Sequence, residues 1–432
     1  MTKNHHIARY FFAIGCAIAN PAFAQGPAEI AQIRDELKSL QQLQLELNDR
    51  INDLEDRLTQ SEPASEHRPE IIKVAQTKPR PKETPQPKAS QIRLSLDGDM
   101  RVRYEANFSN HDDYNRSRGA LRARLRAKYL VNDHIALGGQ LSTGDPDDPN
   151  SADITLSNFV DDFQVSLDKA YIRSQLGGLN LVAGKFSNPF DRTDRIWDGD
   201  VNPQGISGSF DLLESESDSL KAHTLVFLID EEPVGEDAAM VGGQIELVHQ
   251  FQPSFRTQFS IGYYDYRLHN TNNADLGDIR TNRYLNGAFL SDFEILSLIA
   301  RANWTISEQW PLEISGDYSH NFGAIRTNGT HTDDSFGIDL RAGKLSRRGD
   351  SRYSYGYAES DVDSTIAAFA QDNIDFGTNY ILHSLTFDYA LSSSLYFNGS
   401  LYHYRLKDMQ FAPFGEGTEW RNRLRLNLMA KF

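Results

Sequence analysis

The run Glu419-Trp420-Arg421-Asn422-Arg423-Leu424-Arg425-Leu426-Asn427-Leu428-Met429-Ala430-Lys431-Phe432 is two sequences interleaved. Trp420, Leu424, Leu426, Leu428, Ala430 and Phe432 share one parity, and Arg421, Arg423, Arg425, Asn427 and Lys431 share the other. Side chains of a strand point alternately to its two faces, so this strand offers lipid on one side and water on the other. The expected fold class is an all-β transmembrane barrel with a hydrated interior.

Working back from this strand, residues 91–432 contain about sixteen strand candidates. Leu96, Gly98, Met100, Val102 and Tyr104 alternate with Asp97, Asp99, Arg101 and Arg103. Leu121, Leu125 and Tyr129 alternate in the same way with Arg122, Arg124, Arg126 and Lys128, and Phe336, Ile338 and Leu340 with Asp339 and Arg341. The links between candidates alternate in length. Short ones fall at 132–134, 177–178, 214–219, 252–254, 307–309, 347–349 and 392–394. Long ones fall at 109–117, 144–163, 188–204, 230–237, 269–292, 321–334, 361–378 and 408–418. Outer-membrane barrels have this pattern, with antiparallel strands, short turns on the periplasmic side and long loops outside; a β-sandwich would mix the two lengths. Tyr104, Tyr129, Tyr263 and Phe397 are candidates for the interfacial aromatic belts. Two strands read poorly: near Lys221–Ile229 and Leu179–Lys185 both parities are largely apolar or mixed, as under a subunit contact or where the strand bounds are misplaced.

The N-terminal quarter has a different pattern. Lys3 and Arg9, the apolar run Tyr10–Ala19 and Ala22-Phe23-Ala24 form the layout of a cleaved signal peptide, residues 1–24. The one cysteine, Cys16, lies inside that run, so the mature chain is expected to have no thiol chemistry. Over 25–60, Ile30, Ile33, Leu37, Leu40, Leu47, Ile51, Leu54 and Leu58 step by three and four, with Gln44 in the one gap. This heptad seam predicts an N-terminal α-helical coiled coil in the periplasm, compatible with a homotrimer. Residues 61–90, rich in Pro, Lys and Glu, read as an extended linker that spans at most about 90 Å at roughly 3.1 Å per residue.

The formal net charge of −16 argues against nucleic acid as a partner. No His-Glu-x-x-His, Gly-x-Ser-x-Gly or Gly-rich phosphate loop is present, so neither a metal, a cofactor nor a catalytic site is expected. Acid clusters such as Asp145, Asp147, Asp148 and Asp153 read as solvated loop tips. Divalent cations bridging lipopolysaccharide are the alternative there.

In a closed barrel the last strand pairs with the first. Arg421, Arg423 and Arg425 then stand beside Arg101 and Arg103, and these beside Arg122, Arg124, Arg126 and Lys128, as one inward-facing basic wall.

Three stretches carry a family resemblance: Asp168-Lys169-Ala170-Tyr171-Ile172, Gly184-Lys185-Phe186-Ser187-Asn188-Pro189-Phe190, and Trp197-Asp198-Gly199-Asp200-Val201-Asn202-Pro203-Gln204-Gly205. They resemble the putative porin family of Gram-negative bacteria, whose members often carry a coiled coil before the barrel. The Ala-Tyr and Gly-Lys-Phe…Pro-Phe elements are also similar to the phosphate-selective porins called O and P. The mixed charge of 188–204 departs from a lysine-lined anion site. The resemblance implies passive diffusion of small hydrophilic solutes or ions, and trimers. It also implies that the third long loop, with Asp191, Arg192, Asp194, Arg195, Asp198 and Asp200, folds inward as a constriction. Its carboxylates would then face the arginine wall. Phe432 is expected to act as the barrel-assembly terminus, and outer-membrane lipid and lipopolysaccharide as surroundings. The alternative reading makes the barrel an anchor whose coiled coil tethers the membrane to peptidoglycan.

Overall fold

The computed structural model describes residues 93–432 except 110–113, 157–159, 161, 270, 272, 328 and 413–416. The expected signal peptide, coiled coil and linker lie outside the described residues. Sixteen long antiparallel strands form one sheet: Leu94–Ser109, Arg116–Leu130, Ile135–Thr143, Val165–Leu176, Leu179–Lys185, Gln204–Glu214, Asp218–Asp230, Ala238–Gln252, Phe255–Leu268, Phe293–Thr305, Pro311–Asn321, Asp334–Gly343, Ser351–Ser360, Tyr380–Ala390, Leu395–Leu406 and Arg421–Lys431. The last strand pairs with the first, from Asp99 opposite Lys431 to Ser109 opposite Arg421, so the sheet closes into a barrel. Closure leaves no backbone edge facing lipid, which is the condition for strands to cross a bilayer. The third strand is short, and the upper end of the second is covered instead by Ile154–Thr155, a two-residue strand from the following loop.

The alternation seen in the sequence is the alternation of faces. Leu96, Met100, Val102 and Tyr104 of the first strand are exposed on the outside, whereas Asp99, Arg103 and Glu105 are buried within. Val241, Ile245, Phe259, Ile261, Ile338 and Leu340 continue the exposed apolar band on other strands. In water this surface would be unfavourable by roughly 25 cal/mol per Å2; in a bilayer it meets hydrocarbon.

Phe432 extends the closing seam by one residue. Its N–H donates to the Gly98 carbonyl (3.1 Å), and the Gly98 N–H donates to its carbonyl (3.0 Å). Its ring occupies the space a side chain at 98 would need: a Cβ there would lie 2.3 Å from the ring. Gly98→Val is therefore expected to displace the ring and destabilise the seam by about 1–3 kcal/mol. The check is the temperature at which the folded barrel loses its fast migration on an unboiled gel.

The interior is not uniformly polar. From the loop 186–203, Phe186, Phe190, Ile196, Trp197 and Val201 pack against inward Leu225, Phe227, Met240, Tyr264, Tyr266, Phe293 and Ile295 of four consecutive strands. Ile366, Ala368 and Phe369 of the loop 361–379 complete this cluster. It accounts for the strand near Lys221–Ile229: Val226 faces out, while Leu225 and Phe227 are buried inside against the loops. Val182 of the fifth strand packs against the same cluster. The apolar second parity of these strands thus has an interior cause.

Candidate functional site

The basic residues fall on three neighbouring strands. Across the first two, Arg101 stands opposite Arg122, Asp99 opposite Arg124, Asp97 opposite Arg126 and Ser95 opposite Lys128. Across the seam, Arg103 is opposite Asn427, Glu105 opposite Arg425, Asn107 opposite Arg423 and Ser109 opposite Arg421. The first strand therefore supplies acids and amides between two rows of arginines.

The arginines are also neutralised from the loops. Arg122 reaches Asp99 (3.1 Å) and Asp200 (3.5 Å), and Arg124 reaches Asp99 (3.1 Å) and Asp200 (2.7 Å). Arg126 pairs with Asp97 and with Asp99 (2.7 Å). Arg101 (2.7 Å) and Arg103 (2.5 Å) share Asp153 of the loop 144–164. Arg425 pairs with Glu105 (2.6 Å) and Asp372 (3.6 Å); Arg423 and Arg421 (3.9 Å) reach Asp375. Lys128 is exposed near the short-turn end. Sequence reasoning placed the cations on this wall but missed Glu105, which faces Arg425 across the closing seam, and Asp153, Asp372 and Asp375, whose pairing depends on loops that turn inward.

The third long loop crosses the interior. Near its start, Asp191 pairs with Arg301 and accepts a hydrogen bond from Ser260 (2.7 Å). In its middle, Arg195 pairs with Asp317 and with Asp339 (2.7 Å) on the eleventh and twelfth strands. Gly337 leaves the room this takes, since a Cβ there would lie 2.3 Å from the Arg195 guanidinium. Near its end, Asp200 meets Arg122 and Arg124. Only Asp200 of the loop's carboxylates faces the arginine wall. Asp191 turns to Arg301, Asp194 is half exposed 3.8 Å from Arg192, and buried Asp198 accepts from the Asp200 N–H (2.8 Å). Arg192 donates to the Trp197 carbonyl (3.1 Å). The loop thus spans from a basic wall to an acidic one with an opposite charge at each contact.

A second loop, 361–379, also folds inside. Phe369 stacks on Trp197 with ring centroids 5.6 Å apart and planes 9° apart, and its carbonyl accepts from the Asp198 N–H (2.8 Å). Asn150 donates to the Ala368 (3.0 Å) and Ala370 (2.8 Å) carbonyls, and Arg280 to that of Ala367 (2.9 Å). Asp363, fully buried, pairs with Arg283 (2.6 Å). The sequence signal for this loop was available: Ile366-Ala367-Ala368-Phe369-Ala370 is too apolar for a loop bathed in water. Between the loops holding Asp148, Arg280 and Asp372 and the basic wall lies a cavity of about 530 Å3, lined by Glu105, Arg118, Asp148, Asp153, Arg280 and Arg423, among others.

Burial raises the Asp153 carboxyl, but Arg103 and Arg101 outweigh it and hold the group below its ordinary value. A depressed carboxyl stabilises the folded state above about pH 4, and that contribution is lost as pH falls through the lower folded value. Asp153→Asn is therefore expected to lower the thermal midpoint at pH 7 and to shrink the further fall between pH 5 and pH 2. Parallel melting curves of variant and parent check this.

The comparisons with known proteins agree with this architecture. Residues 108–276 match the family described as putative porin. The matched stretch contains the three motifs at 168–172, 184–190 and 197–205, so the resemblance to the putative porin family holds where it was read. Among solved structures, OprB of Pseudomonas putida at high pH is 13% identical with a TM-score of 0.52, over 78% of this chain and 94% of that one. The in-vitro folded OmpT of Vibrio cholerae is 11% identical with a TM-score of 0.46, over 78% and 97% of the two chains. A triple mutant of the Rhodopseudomonas blastica porin is 9% identical with a TM-score of 0.45, over 78% and 100%. At this identity the OprB similarity is one of fold. No curated protein matches the chain. The putative porin match and the closed sixteen-strand barrel support an outer-membrane channel.

Proposed function

We propose that this chain is an outer-membrane porin that passes small hydrophilic solutes or ions passively along the arginine-lined wall. The observation that carries the reading is the third loop, which crosses a closed barrel from Asp200 on the basic side to Arg195 on the acidic side. Fixed charges of opposite sign facing each other across a narrow passage create a transverse field. A dipolar or charged solute can orient in that field and recover part of its lost hydration; an apolar one cannot. Because the wall arginines are paired, net ion selectivity is weak and the filter sorts by polarity and size. The chain works as a homotrimer, with the outer band in lipid and the loop rim among lipopolysaccharide headgroups.

The test is single-channel recording of the folded full-length protein in a planar bilayer, with potassium chloride at different concentrations on the two sides. Stepwise openings with a small reversal potential are expected. A folded barrel that never opens would overturn the porin reading and turn attention to residues 25–60 as a tether to peptidoglycan.

A further inference from the structure

At the long-loop end of the eleventh and twelfth strands, three metal-ligating side chains converge. His320 ends the strand Pro311–Asn321, and Asp334, directly opposite it in register, opens the strand Asp334–Gly343. Asp333 precedes Asp334, and one ligand atom from each of the three residues lies within 4.8 Å of the others. His320 Nδ1 is 2.8 Å from Asp334 Oδ1, to which the Tyr318 hydroxyl also donates (2.6 Å).

The independent pointer to a ligand is Asp333. Its side chain is 5% exposed, and its Oδ1 is buried with no hydrogen-bond partner. Arg326 stands at Oδ2 (3.3 Å), and His331 Nδ1 lies 3.6 Å from Oδ1. A buried carboxylate oxygen without a donor is costly, and a cation removes that cost.

We propose that His320, Asp333 and Asp334 bind a borderline divalent transition-metal ion such as zinc, with His331 as the fourth ligand. Two imidazoles and two carboxylates suit a tetrahedral zinc-like ion; calcium and magnesium take oxygen ligands. Bonds of about 2.0–2.2 Å to a tetrahedral ion put donor atoms about 3.4 Å apart, so the cluster needs to close by about an ångström. His331 is 65% exposed and can swing in. The ion would sit at the base of the inward loop 361–379. There the Asp334 N–H donates to the Asp361 carboxylate (3.1 Å), the Asp361 N–H to the Asp334 carbonyl (2.8 Å) and the Asp363 N–H to the Thr332 carbonyl (2.9 Å).

The experiment uses the full-length protein without a polyhistidine tag, folded in detergent and stripped with chelator. It is titrated with zinc by calorimetry and with cobalt by absorption spectroscopy. One saturable zinc per chain is expected, together with the intense visible bands of tetrahedral cobalt. His320→Ala and Asp333→Asn should each weaken binding at least about tenfold, and an excess of calcium should not compete. Asp333→Asn keeps the side chain's shape, so it carries the test if His320→Ala fails to fold. No saturable zinc, affinity unchanged in the folded variants, or displacement by calcium at equal concentration would each overturn the assignment.

Discussion

Replacing Trp197 and Phe369 together with alanine is expected to raise single-channel conductance severalfold and make openings noisy, while the barrel still migrates as a folded species. The two rings are stacked, Trp197 is 1% exposed, and they join the two inward loops where Asp198 hydrogen-bonds to the Phe369 carbonyl. Each aromatic-to-alanine change in a packed core costs about 3–5 kcal/mol. Because the rings touch, the two losses will not add. That cost falls on the seating of the loops, since the strand pairing that closes the barrel uses none of these side chains. Unchanged conductance from a folded double variant would show that the interior loops do not limit the passage.

Neutralising Arg122 and Arg124 as glutamine is expected to swing the reversal potential toward cation selectivity. Both arginines contact Asp99 and Asp200. Their loss leaves Asp99 with Arg126 and removes both ion-pair partners of Asp200. Removing one side of a buried pair costs about 3–5 kcal/mol, and less here where Arg124 and Asp200 are about one-fifth exposed to the hydrated interior. Adding Asp200→Asn to the double variant should bring the selectivity part of the way back. A reversal potential unmoved in the double variant would place these arginines away from the ion path.

The two predictions separate what the sequence could and could not convey. The strands and their links were legible because a period of two is a backbone rule, and Leu121 to Tyr129 obeys it whatever the rest of the chain does. The order of terminal, first and second strands side by side followed from closure alone. Arg195 reaching Asp317 and Asp339 did not, because it needs the path of a loop across the interior, which no local pattern encodes. The loop 361–379 was read as an outside loop by its length. Its apolar run Ile366–Ala370 and the two-sided strand holding Leu225 and Phe227 are the two halves of one contact, of which only the strand stood out in the sequence. His320 belongs to no contiguous motif, because Asp334 comes from the next strand and Asp333 from the link just before it.

The inward loops are held almost wholly by partners far away in the chain. Arg195 meets Asp317 across 122 residues, and Asn150 meets Ala368 across 218. Contacts of such separation form late, because the intervening chain must be ordered before they return any free energy. One loop anchors on the second strand through Asp200 and on the eleventh and twelfth through Arg195, so the barrel wall must stand before its interior can seat. During biogenesis there should be an interval in which a finished wall encloses unpacked loops, and the newborn channel is leakier than the mature one.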